Sequence, residues 1–132
     1  MRSLSLFFPL LLVSLSWGLC PQPADLKDTY GNKICARLFE DSSVYYDECC
    51  GGSYLDVVPG ADVPYIPLGW NNRISSLVIA PRCELTVWSR KPKEGSTKKF
   101  TSGVQARLSE VKKGLFGDWN DSISSYYCKC NA

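Results

Sequence analysis

The sequence predicts an all-β domain: a small sandwich of two stacked motifs, stapled by disulfides. Three observations predict it. Short runs rich in β-branched and aromatic residues alternate with Gly, Pro and Asn turns. Seven cysteines fall in a chain of 132 residues, and crosslinks stabilise a body too small to rely on its core alone. One phrase occurs twice: Trp70-Asn71-Asn72-Arg73-Ile74-Ser75-Ser76 and, 49 residues later, Trp119-Asn120-Asp121-Ser122-Ile123-Ser124-Ser125. A fixed period of this size is close to one four-stranded unit, so the domain reads as two such units.

The elements follow in order. Arg2, the almost wholly apolar run from Leu4 to Leu15, and the small residues Ser16 and Gly18 make residues 1–18 a secretory signal peptide. It is too short and wrongly flanked for a spanning helix, and it is expected to be cleaved after Gly18. Residues 19–33, with Pro21 and Pro23, form an aperiodic arm tied down through Cys20. Residues 34–130 form one β domain, its first motif over about 34–82 and its second over about 83–130. Strands are expected over Ile34–Glu40, Tyr54–Val58, Ile74–Ala80 and Glu84–Arg90. Gly51-Gly52, Pro59-Gly60 and the stretch from Pro92 to Gly95 are turns. Glu84-Leu85-Thr86-Val87 alternates as a half-buried strand should, until Trp88 breaks the pattern. Leu108 to Leu115 has room for one or two helical turns ahead of the second Trp-Asn phrase.

Charge and composition exclude several function classes. The chain carries 15 basic and 13 acidic residues and no histidine. So even a balance does not suit a nucleic-acid binder, and no nucleic-acid-binding motif is present. The total conceals an asymmetry. Leu19 to Tyr65 holds eight acidic and three basic residues, whereas Ile66 to Ala132 holds five acidic and eleven basic. Such a dipolar domain is suited to head-to-tail association with its own copies at low salt. Catalysis finds little support. Without histidine there is no Ser-His or Cys-His dyad. The neighbouring acids Glu40-Asp41 and Asp47-Glu48 would face opposite sides of a strand, so neither pair is a preset dyad for glycoside hydrolysis. The expected protein is not an enzyme.

Cys20, Cys35, Cys49, Cys50, Cys83, Cys128 and Cys130 all lie beyond the signal. In a small secreted chain they read as three disulfides and one odd cysteine. Zinc is disfavoured, since Cys49-Cys50 and Cys128-x-Cys130 lack the usual spacing and no histidine completes a site. The sequence leaves both the pairing and the identity of the odd cysteine open.

The second half runs Cys83-Glu84-Leu85-Thr86-Val87-Trp88, then Pro92 and Gly95, then Phe100-x-x-Gly103, then Trp119-Asn120-Asp121-Ser122-Ile123-Ser124-Ser125. This resembles a βγ-crystallin Greek-key motif. The first half resembles it through Phe39 and the Asn71 to Ser76 loop, with a poorer glycine pattern. A closer resemblance spans nearly the whole mature chain. Asp25-Leu26-Lys27, Tyr45-Tyr46 through Cys49-Cys50-Gly51-Gly52, Gly60 to Tyr65, Ser76 to Arg90, and Gly117-Asp118-Trp119-Asn120 are similar to the syncollins. That resemblance implies a protein of the zymogen-granule lumen, peripheral on the granule membrane and homo-oligomeric. It further implies a part in regulated exocytosis and a capacity to perforate membranes.

Two candidate sites follow. The crystallin resemblance implies a weak calcium site built from Asn71, Arg73 and Ser75 with Asn120, Ser122 and Ser124. Backbone carbonyls of one loop and the hydroxyl of the other would surround the ion. Calcium prefers carboxylate-rich shells, and Asp121 is the one acid in the two phrases, so affinity on the order of 10⁻⁴ to 10⁻³ M is expected. The competing reading is that these Asn and Ser side chains cap the turn before the last strand of each motif, with Trp70 and Trp119 packed beneath. Asn120-Asp121-Ser122 is also a glycosylation sequon, expected to be unmodified. Arg90, Lys91, Lys93, Lys98 and Lys99 flank Pro92 and Gly95 in an expected hairpin. They are candidates for an anionic surface, at about 1 kcal/mol per basic residue near anionic lipid. The expected partners are therefore further copies of the chain and granule membrane lipid or a luminal membrane glycoprotein. A secreted antibacterial module that binds glycans or microbial surfaces is the alternative.

Overall fold

The computed structural model describes residues 20–40 and 50–131. The signal segment, the Asp47-Glu48 pair, Asp41 and Cys49 lie outside the described residues. Among the described residues there are six strands: β1 (Ala36–Phe39), β2 (Tyr54–Val57), β3 (Asp62–Val63), β4 (Ser76–Arg90), β5 (Glu94–Gln105) and β6 (Ser125–Cys130). The described residues also form two single 3-10 turns, Pro23–Asp25 and Leu108–Glu110.

Strand β4 organises everything. Its first half pairs antiparallel with β1, Leu38 opposite Leu77, and β1 pairs in turn with β2. Its second half pairs antiparallel with β6, Leu85 opposite Cys128, and β6 pairs with β3. Strand β5 runs beside both halves, with Val104 opposite Val78 and Phe100 opposite Leu85. The result is one curled sheet of order β2-β1-β4-β6-β3, with β5 along the other side of β4. Two leaves thus share the long hairpin β4–β5. The fold is the all-β, disulfide-stapled βγ-crystallin type.

The strands expected over Ile74–Ala80 and Glu84–Arg90 are one bent strand instead. The register slips between Ile79 and Glu84, at Pro81, which has no N–H to give, and at Arg82, whose φ is +64°. The helical turns expected over Leu108–Leu115 shrink to one 3-10 turn. Beyond it the chain turns through Gly114 and Gly117, both at positive φ, which no helix accepts. Gln and Lys side chains hide β5 from a hydrophobic pattern, and only Phe100 along its length is buried.

The core collects Leu38, Leu77, Ile79, Leu85, Val87, Ile74 and Ile123, all fully buried. The N-terminal arm joins it through Leu26, although its sequence lacks periodicity. Disulfides tie the pieces: Cys20–Cys50 tethers the arm, Cys83–Cys130 joins β4 to β6, and Cys35–Cys128 links the entry of β1 to β6 across the two leaves. These bridges use six of the seven cysteines, and the seventh, Cys49, lies outside the described residues. Cys35, Cys83 and Cys130 sulfurs lie within 4.8 Å of one another, but each belongs to a bridge, which removes the thiolates zinc would need.

Candidate functional site

The repeated phrases meet. Each phrase places an Asx residue in the left-handed region, Asn72 at φ +60° and Asp121 at φ +55°, a conformation Asn and Asp tolerate better than most residues. The Asn72 amide donates to Ile123 O at 3.3 Å, and the Asp121 amide donates to Ile74 O at 2.9 Å. The side chains repeat this exchange. Ser75 Oγ donates to Asp121 Oδ1 at 3.0 Å, and Ser124 Oγ donates to Asn72 Oδ1 at 3.2 Å. Further equivalences follow at the same offset, for Ser75 N reaches Phe39 O and Ser124 N reaches Trp88 O, each at 2.9 Å. The two motifs are therefore related by an approximate two-fold axis between the loops.

Four of the six calcium candidates lie in this contact or next to it: Ser75 and Ser124 directly, Asn71 and Asn120 as the residues just before Asn72 and Asp121. Asn71 Oδ1 and Asn120 Oδ1 are buried and accept no hydrogen bond among the described residues. Such oxygens suit a hard cation. The two sides differ in charge, however. The Ser75–Asp121 side carries a carboxylate, whereas the Ser124–Asn72 side has only neutral oxygens. Arg73 turns away from its loop: it donates to Gly69 O at 2.6 Å, pairs with Glu40, and stacks over Trp70 at 5.7 Å. Ser122 Oγ shares its one proton between Asp118 O and Asn120 O, each at 3.2 Å, and accepts from Lys113 Nζ at 3.3 Å, which brings a cation to the second loop. The donor set fits calcium on the Ser75–Asp121 side and fits it poorly on the other. Trp119 is fully buried beneath its loop, and Trp70 is partly buried against the core.

Glu40, considered above for acid–base work, is occupied. It accepts from the Ser53 amide at 2.9 Å and pairs with Arg73. The Ser53 hydrogen bond and the nearby guanidinium hold its carboxyl below the usual glutamate value.

The basic candidates spread over the β4–β5 hairpin. Lys93 is committed to the protein itself: its Nζ lies 2.5 Å from Asp62 Oδ1 and near the rings of Trp88 and Tyr127. Its amide donates to Ser125 Oγ. Lys99 approaches Glu84 at 3.6 Å. Lys98 reaches over Phe100. Arg90 and Lys91 are exposed at the turn, where the Lys91–Pro92 peptide is cis.

A second basic group sits across from β5 and escaped the sequence reading. Lys98, Lys99 and Lys112 line one cleft, of about 520 Å³, and Lys98, Lys112 and Lys113 line a neighbouring one of about 280 Å³. Among the described residues, Glu110 is the one acid lining either, and it pairs with Arg107. The signal in the sequence was Lys112-Lys113-Gly114-Leu115-Phe116-Gly117, two lysines ahead of an apolar pair bracketed by glycines. A separate cavity of about 560 Å³, between Leu26, Ile34, Pro81 and the Cys83–Cys130 bridge, is lined by none of the calcium or basic-surface candidates.

Among solved structures, a βγ-crystallin domain from Flavobacterium johnsoniae superposes with a TM-score of 0.56 at 20% identity, covering 74% of this chain and 97% of that one. That likeness concerns the fold. Syncollin of Homo sapiens is 50% identical over 131 residues, 99% of this chain and 98% of its own length. Syncollin of Rattus norvegicus is 54% identical over 127 residues, 96% of this chain and 95% of its own length. The syncollin family profile matches residues 19–130, the arm and the whole β domain together, and the chain accordingly belongs to the syncollin family.

Proposed function

We propose that the protein acts without catalysis in the secretory-granule lumen, as a peripheral membrane protein that self-associates and supports regulated exocytosis. The zymogen granule is the setting that the family resemblance implies. The observation that carries the membrane reading is the lysine-lined face formed by Lys98, Lys99, Lys112 and Lys113, where Arg107 already neutralises Glu110. Each lysine near an anionic bilayer contributes about 1 kcal/mol. Calcium enters this reading as a weak ligand of the Ser75–Asp121 side.

Perforation of a bilayer belongs to an oligomer. Backbone polar groups must be paired within hydrocarbon, and among the described strands only β4 and β5 are long enough to cross a bilayer, so one copy cannot close a wall. Flotation of the mature, oxidised protein with phosphatidylserine-containing and neutral vesicles tests the reading, with dye release alongside. Flotation confined to anionic vesicles and weakened by salt is expected. Failure to float with any lipid, together with retention on bacterial cell-wall or glycan resins, would replace this reading by the surface-binding module.

A further inference from the structure

Leu115 and Phe116 are the most conspicuous apolar exposure near the lysine-lined face. They are 94% and 84% exposed, respectively. They occupy the tip of a tight hairpin with a fixed base. Lys112 and Asp118 form an antiparallel bridge. The Lys113 amide donates to Gly117 O at 3.1 Å, and the Trp119 amide donates to Val111 O at 3.0 Å. Fully buried Leu108 and Trp119 flank this hairpin in sequence and moor it in the core. Gly114 and Gly117 supply the two positive-φ positions, +91° and +79°, that let four backbone bonds reverse direction and push the apolar pair outward.

The exposure has no account among the described residues. Two large apolar side chains in water forfeit the burial that every other large core residue obtains. The tip is convex, so it suits insertion into a soft medium better than closure of a pocket. Its collar is cationic: Lys112 and Lys113 precede the pair, and Lys98 lines clefts with both. An apolar tip inside a basic collar is complementary to an anionic lipid interface, where rings and aliphatic chains enter the acyl boundary while ammonium groups stay with the phosphates. A further apolar side chain stands in water before the other phrase. Leu68 is fully exposed, two residues before Trp70, and the Trp70 and Trp119 phrases are hydrogen-bonded to each other.

We propose that the 112–118 hairpin is the membrane-insertion element of this protein, seating Leu115 and Phe116 in the interface of an anionic bilayer while Lys112, Lys113 and Lys98 contact lipid phosphates. This rests on the peripheral-membrane reading above and assigns it a location.

The test is flotation of the full mature protein and of the Leu115→Ser/Phe116→Ser double variant on vesicles containing phosphatidylserine. Both side chains are already in water, so the variant keeps the fold, and thermal unfolding checks that. A fall in vesicle partition of at least tenfold is expected, since each apolar side chain removed from the interface counts for about that much. Phe116→Trp should restore binding, and its indole should be quenched by shallow, headgroup-proximal nitroxide lipids. Equal binding by the double variant and the wild type would overturn the hairpin's role while leaving membrane association intact. Absence of binding by the wild type itself would remove the membrane reading and this proposal with it. Unchanged vesicle binding with loss of self-association in gel filtration would assign the tip to a second copy of the chain, and would equally overturn the proposal.

Discussion

Ser75 and Ser124 do the same job at two symmetric places, and their partners make the places unequal. A hydroxyl facing a carboxylate and a hydroxyl facing a carboxamide have nearly the same geometry but differ by a full negative charge. Calcium affinity rises with ligand charge, so occupancy should be confined to the Ser75–Asp121 side. Titration calorimetry should find one weak site, on the order of 10⁻⁴ to 10⁻³ M, lost in Asp121→Asn. Asn72→Asp should supply the missing carboxylate and add a second site. If Asp121→Asn leaves binding unchanged, the loops are only turn caps. The repeat was legible in the sequence because five of the seven residues recur at one offset, and the crystallin resemblance implied that the two phrases meet. The cation that Lys113 brings to Ser122 was not, because nine residues of irregular chain separate them.

At the scale of elements, the β4–β5 hairpin shows why a basic run is not a basic patch. Five cations between Arg90 and Lys99 look equivalent in sequence. The fold turns Lys93 inward to Asp62 on β3 and against two rings, whereas Lys98 faces a cleft shared with Lys112 and Lys113. Lys93→Ala should therefore leave vesicle flotation unchanged and cost about 0.5–1 kcal/mol of stability, the range of a partly exposed pair with ring contacts. Lys98→Ala should weaken flotation without a comparable loss of stability. Chemical denaturation and flotation on the same samples separate the two effects, and weakened flotation by Lys93→Ala would contradict the assignment. Strands β1 and β2 follow the β-branched and aromatic runs closely. Strand β5 has only Phe100 as a buried residue, and its position is fixed by pairing along β4 in place of any hydrophobic pattern of its own.

Over the whole molecule, the bridges divide into local and global ones. Cys83–Cys130 links residues already opposite in the β4–β6 ladder, whereas Cys35–Cys128 spans 93 residues and Cys20–Cys50 spans 30. Loop-closure entropy gives about 4.7 kcal/mol for the longer span and about 1 kcal/mol less for the shorter. Replacing Cys35 and Cys128 by Ser should thus destabilise the domain more than replacing Cys20 and Cys50. Urea midpoints of the two double variants measure the order, and the reverse order would mean that the arm, moored by Leu26, matters more than the link between leaves. The edges β2 and β3 are short, four and two residues long, which limits unintended strand addition. Strand β5 is a longer edge, twelve residues paired only with β4 among the described strands, and its exposed lysines oppose edge-to-edge pairing.

The sequence by itself determined the class, the repeat, the number of bridges and the likeness to syncollins, because each is written in residue types at fixed spacing. Tertiary structure decided which cysteines pair, that two expected strands are one bent strand, and which lysines share a face. It also decided that Leu115 and Phe116 stay in water. Those outcomes depend on contacts between residues far apart in the chain, where spacing carries no information. A Leu-Phe pair between two glycines reads equally well as core or as tip until the hairpin beneath it is closed.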